Sequence, residues 1–135
     1  MQLSDNERTY LATQPLGRLA TLAPTGAPQV RPVGFTLNDA LGTIDIVGHN
    51  LAASQKFRNI RRDGRVSLVV DDLESTDPWK PRGIEIRGHA EALEGSVGND
   101  AGPGTLIRIH PDRVLSWGID SDPFAPPLAR QVHQT

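Results

Sequence analysis

The chain contains no cysteine among its 135 residues. Disulfide bridges and thiolate metal sites are therefore excluded, and nothing in the composition requires an oxidising compartment. The four histidines show no paired spacing of the kind that metal ligands use, so we expect no metal site. Motifs for a serine nucleophile, a phosphate-binding loop and a dinucleotide-binding turn are absent as well. If the protein is an enzyme, we expect a cofactor to carry the chemistry.

A strong charge and long apolar runs are also missing. The chain has 14 basic and 16 acidic residues, a balance that argues against a general nucleic-acid binder. No apolar run approaches the roughly 18 residues of a membrane helix, and the polar residues 1–14 lack the apolar centre of a signal peptide. The composition therefore predicts a cytoplasmic protein that binds neither nucleic acid nor membrane.

Hydrophobic patterning predicts one β-rich domain. With 37% hydrophobic residues and no linker, the chain is expected to form a single domain over 1–135. Ser4 and Glu7 have the spacing of a capping box, which predicts a helix as far as residue 14. Alternating apolar residues predict strands, and the glycine-rich segment 95–104 predicts a flexible loop. The predicted strands are residues 16–22, 28–37, 43–47, 65–72 and 83–93, followed by one or two strands over 106–109 and 114–117.

This set of strands favours a small barrel. Six or seven strands that are mostly joined as hairpins, with two or three short helices, normally close into an antiparallel barrel. Residues 73–82 carry prolines and predict a loop. The tail over about 120–135 is predicted to be irregular.

The most informative segment is residues 43–72, which predicts a strand, a tight turn, a short basic helix and another strand. The helix, over 51–62, carries Lys56 one turn from its start, after small side chains that let a ligand approach the backbone amides. Lys56 and four arginines fall within ten positions of a nearly neutral chain. This cluster indicates either a local anion site, suited to a phosphate-bearing ligand, or a solvated basic face. The spacing alone leaves both interpretations open.

Five segments in order carry a resemblance to a known family. Residues 17–22, 26–33 and 56–63, followed by 78–83 and 108–118, resemble the pyridoxamine 5′-phosphate oxidase-like split β-barrel flavoproteins. The similarity is greatest to their branch of deazaflavin (coenzyme F-420)-dependent oxidoreductases. Each motif alone is weak, but five in the same order are fairly specific. The resemblance implies a homodimer of six-stranded split barrels, with two cofactor sites in grooves between the subunits and a small-molecule substrate.

The resemblance also implies positions for the cofactor. Its phosphate would be held at the start of the basic helix, by Ser54, Gln55 and Lys56, with Arg58 as a further candidate. Its ring would lie between two strands, because backbone groups there bond the pyrimidine edge in this family. One wall would be Arg31, Pro32, Val33 and Gly34, and the other Val47, Gly48 and His49.

Two tryptophans and two neighbouring cations complete the implied site. Trp79 and Trp117 would reach the partner subunit's cofactor or close the substrate pocket, while Trp117 suits an interface or core role equally well. Lys80 and Arg82 would meet the acidic tail of a deazaflavin, or remain solvated. Gly48 suits close approach of a planar ring, or an ordinary turn. We assign no catalytic residue, and His49 is not one.

The implied activity is hydride transfer from reduced coenzyme F-420 to a small electron-poor substrate. The protein's task would be to orient the ring against the substrate and to exclude water. Two alternatives stay open. One is an FMN-binding oxidoreductase of the same family, and the other is a non-enzymatic cofactor or haem carrier built on the same fold.

Overall fold

The computed structural model describes residues 3–95 and 104–132. Within these ranges the chain forms one antiparallel sheet of eight strands and two α-helices, which confirms the predicted fold class of a mainly β split barrel with short helices. His133 and residues 96–103 of the glycine-rich segment lie outside the described residues. The elements are α1 (Asp5–Thr13), β1 (Gly17–Leu22), β2 (Pro28–Val33), β3 (Thr36–Asn38), β4 (Thr43–Ile46), a 3-10 helix (Leu51–Ala53), α2 (Gln55–Arg62), β5 (Arg65–Thr76), β6 (Trp79–Leu93), β7 (Leu106–Trp117) and β8 (Leu128–Gln131).

The strands follow the order β2-β1-β5-β6-β7-β4-β3, and β8 pairs with β7. Their alternating apolar side chains enclose one core, which α2 covers with Phe57 and Ile60. Burial of these side chains supplies most of the stabilisation of such a fold. The fully buried aliphatic residues of the sheet are Leu19, Ile44, Ile46, Leu68, Val70, Ile84, Ile86, Ile107, Ile109 and Val114. No helix among the described residues is long and apolar enough to span a membrane.

The predicted loop over 73–82 is wrong. β5 continues to Thr76 and β6 begins at Trp79, so the two strands form a long hairpin that turns at Asp77 and Pro78. Pro81 lies opposite Leu73, where the register of the pair shifts. A proline is tolerated at such an irregularity because the regular ladder does not need its missing N–H group.

The predicted strand over 28–37 is interrupted. Its two parts pair with different neighbours, because β2 joins β1 while β3 joins β4 at the opposite end of the strand order. Gly34 and Phe35 make the crossing between them. Burial does not alternate along β2, where Val30 is exposed and Val33 is buried, and periodicity does not report the partner of a strand.

Two differences concern the last strands. β7 runs through Pro111 without a break, because a bulge opposite Gly88 absorbs the proline. Part of the tail is also regular: Leu128–Gln131 forms β8 against β7, so the prediction of an irregular tail is wrong for these residues. Arg130 of β8 binds the buried carboxylate of Glu7, which ties the tail to α1.

Candidate functional site

The start of α2 is shaped by Ser54. Its side-chain oxygen accepts a hydrogen bond from the backbone N–H of Phe57 at 3.3 Å, and its hydroxyl donates to the carbonyl of Leu51 at 2.6 Å. Ser54 is therefore the N-cap, and the predicted helix over 51–62 is divided into a 3-10 turn and α2. The hydroxyl proton is already used within the chain. The group that Ser54 leaves available to a ligand is an acceptor oxygen.

Lys56 and Arg31, predicted from two separate segments, line the same depression. Gln55 of α2 lies beside them, and the depression has a volume of about 70 Å³. This is far below the roughly 300 Å³ or more of a pocket for a whole organic ligand, so the space suits one small group. Within the described part of the chain, the ammonium of Lys56 has no hydrogen-bond or ion-pair partner.

The depression also contains residues that the sequence did not indicate. Thr21 of β1 and Gln29 of β2 form its wall, and both accept hydrogen bonds from the side-chain amide of Asn59, at 3.0 and 2.9 Å. Asn59 is fully buried. Residues three apart lie next to each other on one face of a helix, so Asn59 lies one turn from Lys56, on the side that faces the barrel. The register that places Thr21 opposite Gln29 brings the three side chains together.

Arg58 is held by its own helix start. Its guanidinium donates to the carbonyl of Ala53 at 2.7 Å and to Oε1 of Gln55 at 2.8 Å. Gln55 in turn donates from Nε2 to Asn59 at 2.8 Å. The amide side chain of Gln55 is thus engaged on both sides, and its backbone N–H is the group that it offers to a ligand.

The wall predicted along β2 is only partly open. Val33 is buried in the core, so it can meet a ligand through its backbone alone, whereas Arg31, Pro32 and Gly34 are exposed. β2 is at one end of the sheet, and one of its edges therefore has no partner strand among the described residues. A Cβ at Gly34 would have no neighbour within 4 Å, which leaves open space beside this edge.

The second predicted wall borders a different depression. Val47, Gly48 and His49 are exposed after the end of β4, and Gly48 lines a space of about 190 Å³ with Asn50 and Leu51. Asn50 has a positive φ of 53°, which turns the chain towards the 3-10 helix. Within the single chain, the structure does not bring this wall onto the Lys56 depression.

Trp79 and Trp117 have different surroundings. Trp79 starts β6 beside the exposed Lys80, and its side chain is 55% exposed. Trp117 is half-buried and packs on Gly83. Trp79 and Lys80 are remote in register from the Lys56 depression, because they lie at the turn end of the β5–β6 hairpin.

Arg82 forms an ion pair with Asp72. It donates from Nε and Nη2 to the two oxygens of Asp72, at 2.8 and 3.1 Å, and lies 5.0 Å over the ring of Tyr10. The hydrogen bonds from Arg82 hold the pKa of Asp72 below its ordinary value. Tyr10 also donates to Asp72, and its pKa is raised by burial and by that carboxylate.

The largest of the depressions described lies between α1 and β3. It has a volume of about 380 Å³, in the size range of small-molecule pockets. Its floor is apolar, with Leu11, Phe35 and Leu37, and an ion pair between Arg8 and Asp39 forms part of its rim. This groove, which we call the α1–β3 groove, begins immediately after Gly34. Among the described residues no group of three or more metal-ligand side chains is arranged for a metal ion.

Comparison with known proteins gives the same picture of the fold. The family model for pyridoxamine 5′-phosphate oxidase matches residues 3–118. A 5a,11a-dehydrotetracycline/5a,11a-dehydrooxytetracycline reductase from Streptomyces rimosus is 42% identical over 125 residues, covering 90% of this chain and 87% of that protein.

Two solved structures have the same overall arrangement. A conserved hypothetical protein from Mycobacterium tuberculosis has a TM-score of 0.67 and 25% identity, covering 89% of this chain and 88% of that one. An F420 reductase has a TM-score of 0.61 and 21% identity, with coverage of 83% of this chain and 98% of that one. The second similarity is one of fold.

Proposed function

Because the chain belongs to the pyridoxamine 5′-phosphate oxidase family and is an oxidoreductase, we propose that it uses the deazaflavin coenzyme F-420 to reduce a small electron-poor substrate. The observation that carries the proposal is the shared depression of Lys56 and Arg31. Lys56 comes from α2 and Arg31 from β2, and both line a space that fits one small anionic group. A phosphate is such a group, and the coenzyme carries one in its tail.

The residues present fit a phosphate at this position. Lys56 offers a free ammonium, Gln55 a backbone N–H at the helix start, and Arg31 a second positive charge. The edge of β2 that has no partner strand in the described part of the chain continues from this point to Gly34. Backbone groups on that edge are available to the polar rim of a ring, and the exposed glycine leaves room for its plane.

When bound, a reduced deazaflavin supplies a hydride. The chain's own part in the reaction is to hold the cofactor's phosphate, to align the ring along β2 and to keep water from the reacting carbon. We assign no side chain as acid or base. Protonation of the reduced product is left to solvent.

We propose that the substrate binds in the α1–β3 groove. The groove adjoins Gly34, and its apolar floor and polar rim suit a planar polycyclic molecule with oxygen substituents. The relative from Streptomyces rimosus is named as a reductase of 5a,11a-dehydrotetracycline and 5a,11a-dehydrooxytetracycline. A conjugated carbonyl compound of this kind is the substrate class that we propose here.

We also propose that two copies of the chain form a homodimer that completes the cofactor groove. β2 exposes Val30 as well as its free backbone edge, and Trp79 projects from the far hairpin. A second copy would cover these groups. It would also bring the wall at Val47, Gly48 and His49, or Trp79 and Lys80, to the Lys56 depression of its partner.

The test is a fluorescence titration of purified protein with coenzyme F-420 and, in parallel, with FMN. We expect micromolar or tighter binding of coenzyme F-420, and a loss of about tenfold or more in Lys56→Ala, since a charge-assisted bond to phosphate is worth ~1.5–3 kcal/mol. Arg61→Ala is the matched control, because it removes the same charge from an exposed position of the same helix.

The outcomes separate the candidates. Tight binding of FMN without affinity for coenzyme F-420 would show that the cofactor is FMN and not the deazaflavin. Binding without turnover across a panel of conjugated enones would favour a cofactor carrier. Full affinity in Lys56→Ala would refute the phosphate position.

A further inference from the structure

A continuous line of side-chain hydrogen bonds runs from Arg58 to the wall of the Lys56 depression. Arg58 donates to Oε1 of Gln55, and Gln55 donates from Nε2 to Oδ1 of Asn59, both at 2.8 Å. Asn59 then donates both protons of its amide, one to Thr21 at 3.0 Å and one to Oε1 of Gln29 at 2.9 Å. We call this line the amide relay.

The direction of the amide relay is set by Arg58. A guanidinium has five N–H donors and no acceptor, so the atom of Gln55 that faces it must be the oxygen. The nitrogen of Gln55 therefore faces Asn59, and the oxygen of Asn59 faces Gln55. Each amide has one oxygen and one nitrogen, so the nitrogen of Asn59 is left for Thr21 and Gln29. Arg58 is itself anchored on the carbonyl of Ala53, which keeps it in this position.

The consequence appears at the pocket wall. The oxygen of Gln29 is occupied by Asn59, so its side chain has its N–H₂ group left to offer. The oxygen of Thr21 accepts from the same amide, which leaves the hydroxyl proton to donate. Both residues line the depression that contains Lys56. The wall therefore presents donors to whatever occupies the space, as an anion requires.

We infer that the amide relay turns Thr21 and Gln29 into donors for the phosphate of the cofactor, with Asn59 and Arg58 as positioning residues. The inference rests on the proposed function, and it adds two binding residues and the arrangement that orients them. A buried amide that only joined α2 to the β1–β2 hairpin would serve equally well in either orientation. The orientation fixed by Arg58 is what links the relay to an anion.

Asn59→Asp tests this polarity directly. The carboxylate has nearly the same shape and accepts from Gln55, Thr21 and Gln29, so the contacts remain while the donors turn away from the pocket. Gln29→Leu is the second variant, because this exposed position tolerates substitution without loss of the fold. Thr25→Asp is the charge control, since it adds the same charge at the turn of the same hairpin, outside the relay.

The first measurement uses inorganic phosphate and does not depend on the identity of the cofactor. In ¹⁵N-labelled wild-type protein, phosphate should shift the side-chain amide resonances of Gln29 in a saturable manner. Asn59→Asp should abolish this shift, whereas Thr25→Asp should retain it. A wild-type protein in which phosphate leaves the Gln29 amide unchanged would overturn the inference.

The second measurement compares ligands with and without a phosphate. Dissociation constants are determined for FMN against riboflavin, and for coenzyme F-420 against its phosphate-free deazaflavin chromophore. Asn59→Asp and Gln29→Leu should weaken the binding of the phosphate-bearing ligands by about tenfold. The dissociation constants of the phosphate-free ligands should change by less than about twofold. Equal losses of affinity for both kinds of ligand would show that Asn59 has only a structural role. If phosphate shifts Gln29 as expected but neither cofactor binds, the relay stands and the proposed function falls.

Discussion

Gly83 of β6 lies opposite Trp117 of β7, and the indole of the tryptophan packs directly on the glycine. A Cβ at position 83 would be 2.5 Å from Cζ2 and 2.8 Å from Cε2 of the indole. No real Cβ approaches an aromatic ring so closely. The missing side chain is therefore what allows the indole of Trp117 to pack on β6, and this contact gives the tryptophan a structural role within its own chain.

Gly83→Ala should displace the indole and lower the free energy of unfolding by about 1–3 kcal/mol, the usual cost of overpacking. Urea denaturation followed by tryptophan fluorescence measures both effects. Gly34→Ala is the control for stability, because an added methyl group there has nothing within 4 Å. Unchanged stability together with an unchanged emission spectrum in Gly83→Ala would show that the contact is not rigid.

Glu7 should make the stability of the protein dependent on pH. Burial raises the pKa of this carboxyl, but hydrogen bonds from Arg130 and from the backbone of Ser4 outweigh it and hold the pKa below the ordinary value of 4.5. A proton therefore binds more tightly to the unfolded chain than to the folded one. The carboxylate stabilises the fold above pH 4.5, and this contribution is lost as the pH falls through the lower folded value.

Glu7→Gln should lower the free energy of unfolding at pH 7 on the order of 2–3 kcal/mol. This is less than the full cost of breaking a buried pair, because Arg130 is partly exposed. The variant should also lose less stability than the wild type between pH 7 and pH 3. Asp5→Asn, at an exposed position of the same helix, is the control. Parallel pH dependences in Glu7→Gln and the wild type would contradict the role of this ion pair.

Trp79 should matter for ligand binding but not for folding. Its side chain is 55% exposed at the start of β6, so Trp79→Ala should change the free energy of unfolding by less than about 0.5 kcal/mol. If the Trp79 ring contacts the cofactor of a second copy, the same variant should lower the affinity for coenzyme F-420 by about fivefold. This corresponds to the loss of an aromatic contact worth ~1 kcal/mol. Phe124→Ala removes another exposed aromatic ring and should leave the affinity unchanged. Equal effects of the two variants would exclude a specific contact.

Phe35 should contribute to substrate binding and not to cofactor binding. Its ring forms part of the floor of the α1–β3 groove. Phe35→Ala should raise KM for a polycyclic enone by about tenfold, since the lost apolar and aromatic contacts are worth ~1–2 kcal/mol. The dissociation constant of coenzyme F-420 should stay the same. Leu41→Ala, which truncates an exposed side chain near the same strand, is the control, and a KM that rises equally in both variants would place the substrate elsewhere.

Local patterns were sufficient for most of the fold. The capping box of Ser4 and Glu7, the alternation in β6 and the basic helix all arise from neighbours in the chain, and all are present. What failed depends on distant pairing. The long β5–β6 hairpin and β8 exist because each strand finds a partner, and prolines in the sequence obscure both.

The same distinction explains what the sequence missed at the candidate site. Lys56 was recognisable because it follows a strand and a turn, and Arg31 because its strand carries a family motif. Thr21, Gln29 and Asn59 lie in segments that carry the same resemblance, but no local pattern gives them a role, because their contacts join β1, β2 and α2. A buried asparagine on a basic helix is a weak clue by itself, and only the register of the β1–β2 hairpin gives it a partner.

The most direct test of the proposed activity is the oxidation of reduced coenzyme F-420 by a conjugated enone, followed by absorbance under single-turnover conditions. We predict that wild-type protein oxidises the coenzyme only when the enone is present. Lys56→Ala should lose at least about tenfold in rate at subsaturating coenzyme, while Arg61→Ala keeps the wild-type rate. A wild-type protein that leaves the reduced coenzyme unchanged with every enone, while reducing the same compounds with reduced FMN, would contradict the deazaflavin assignment.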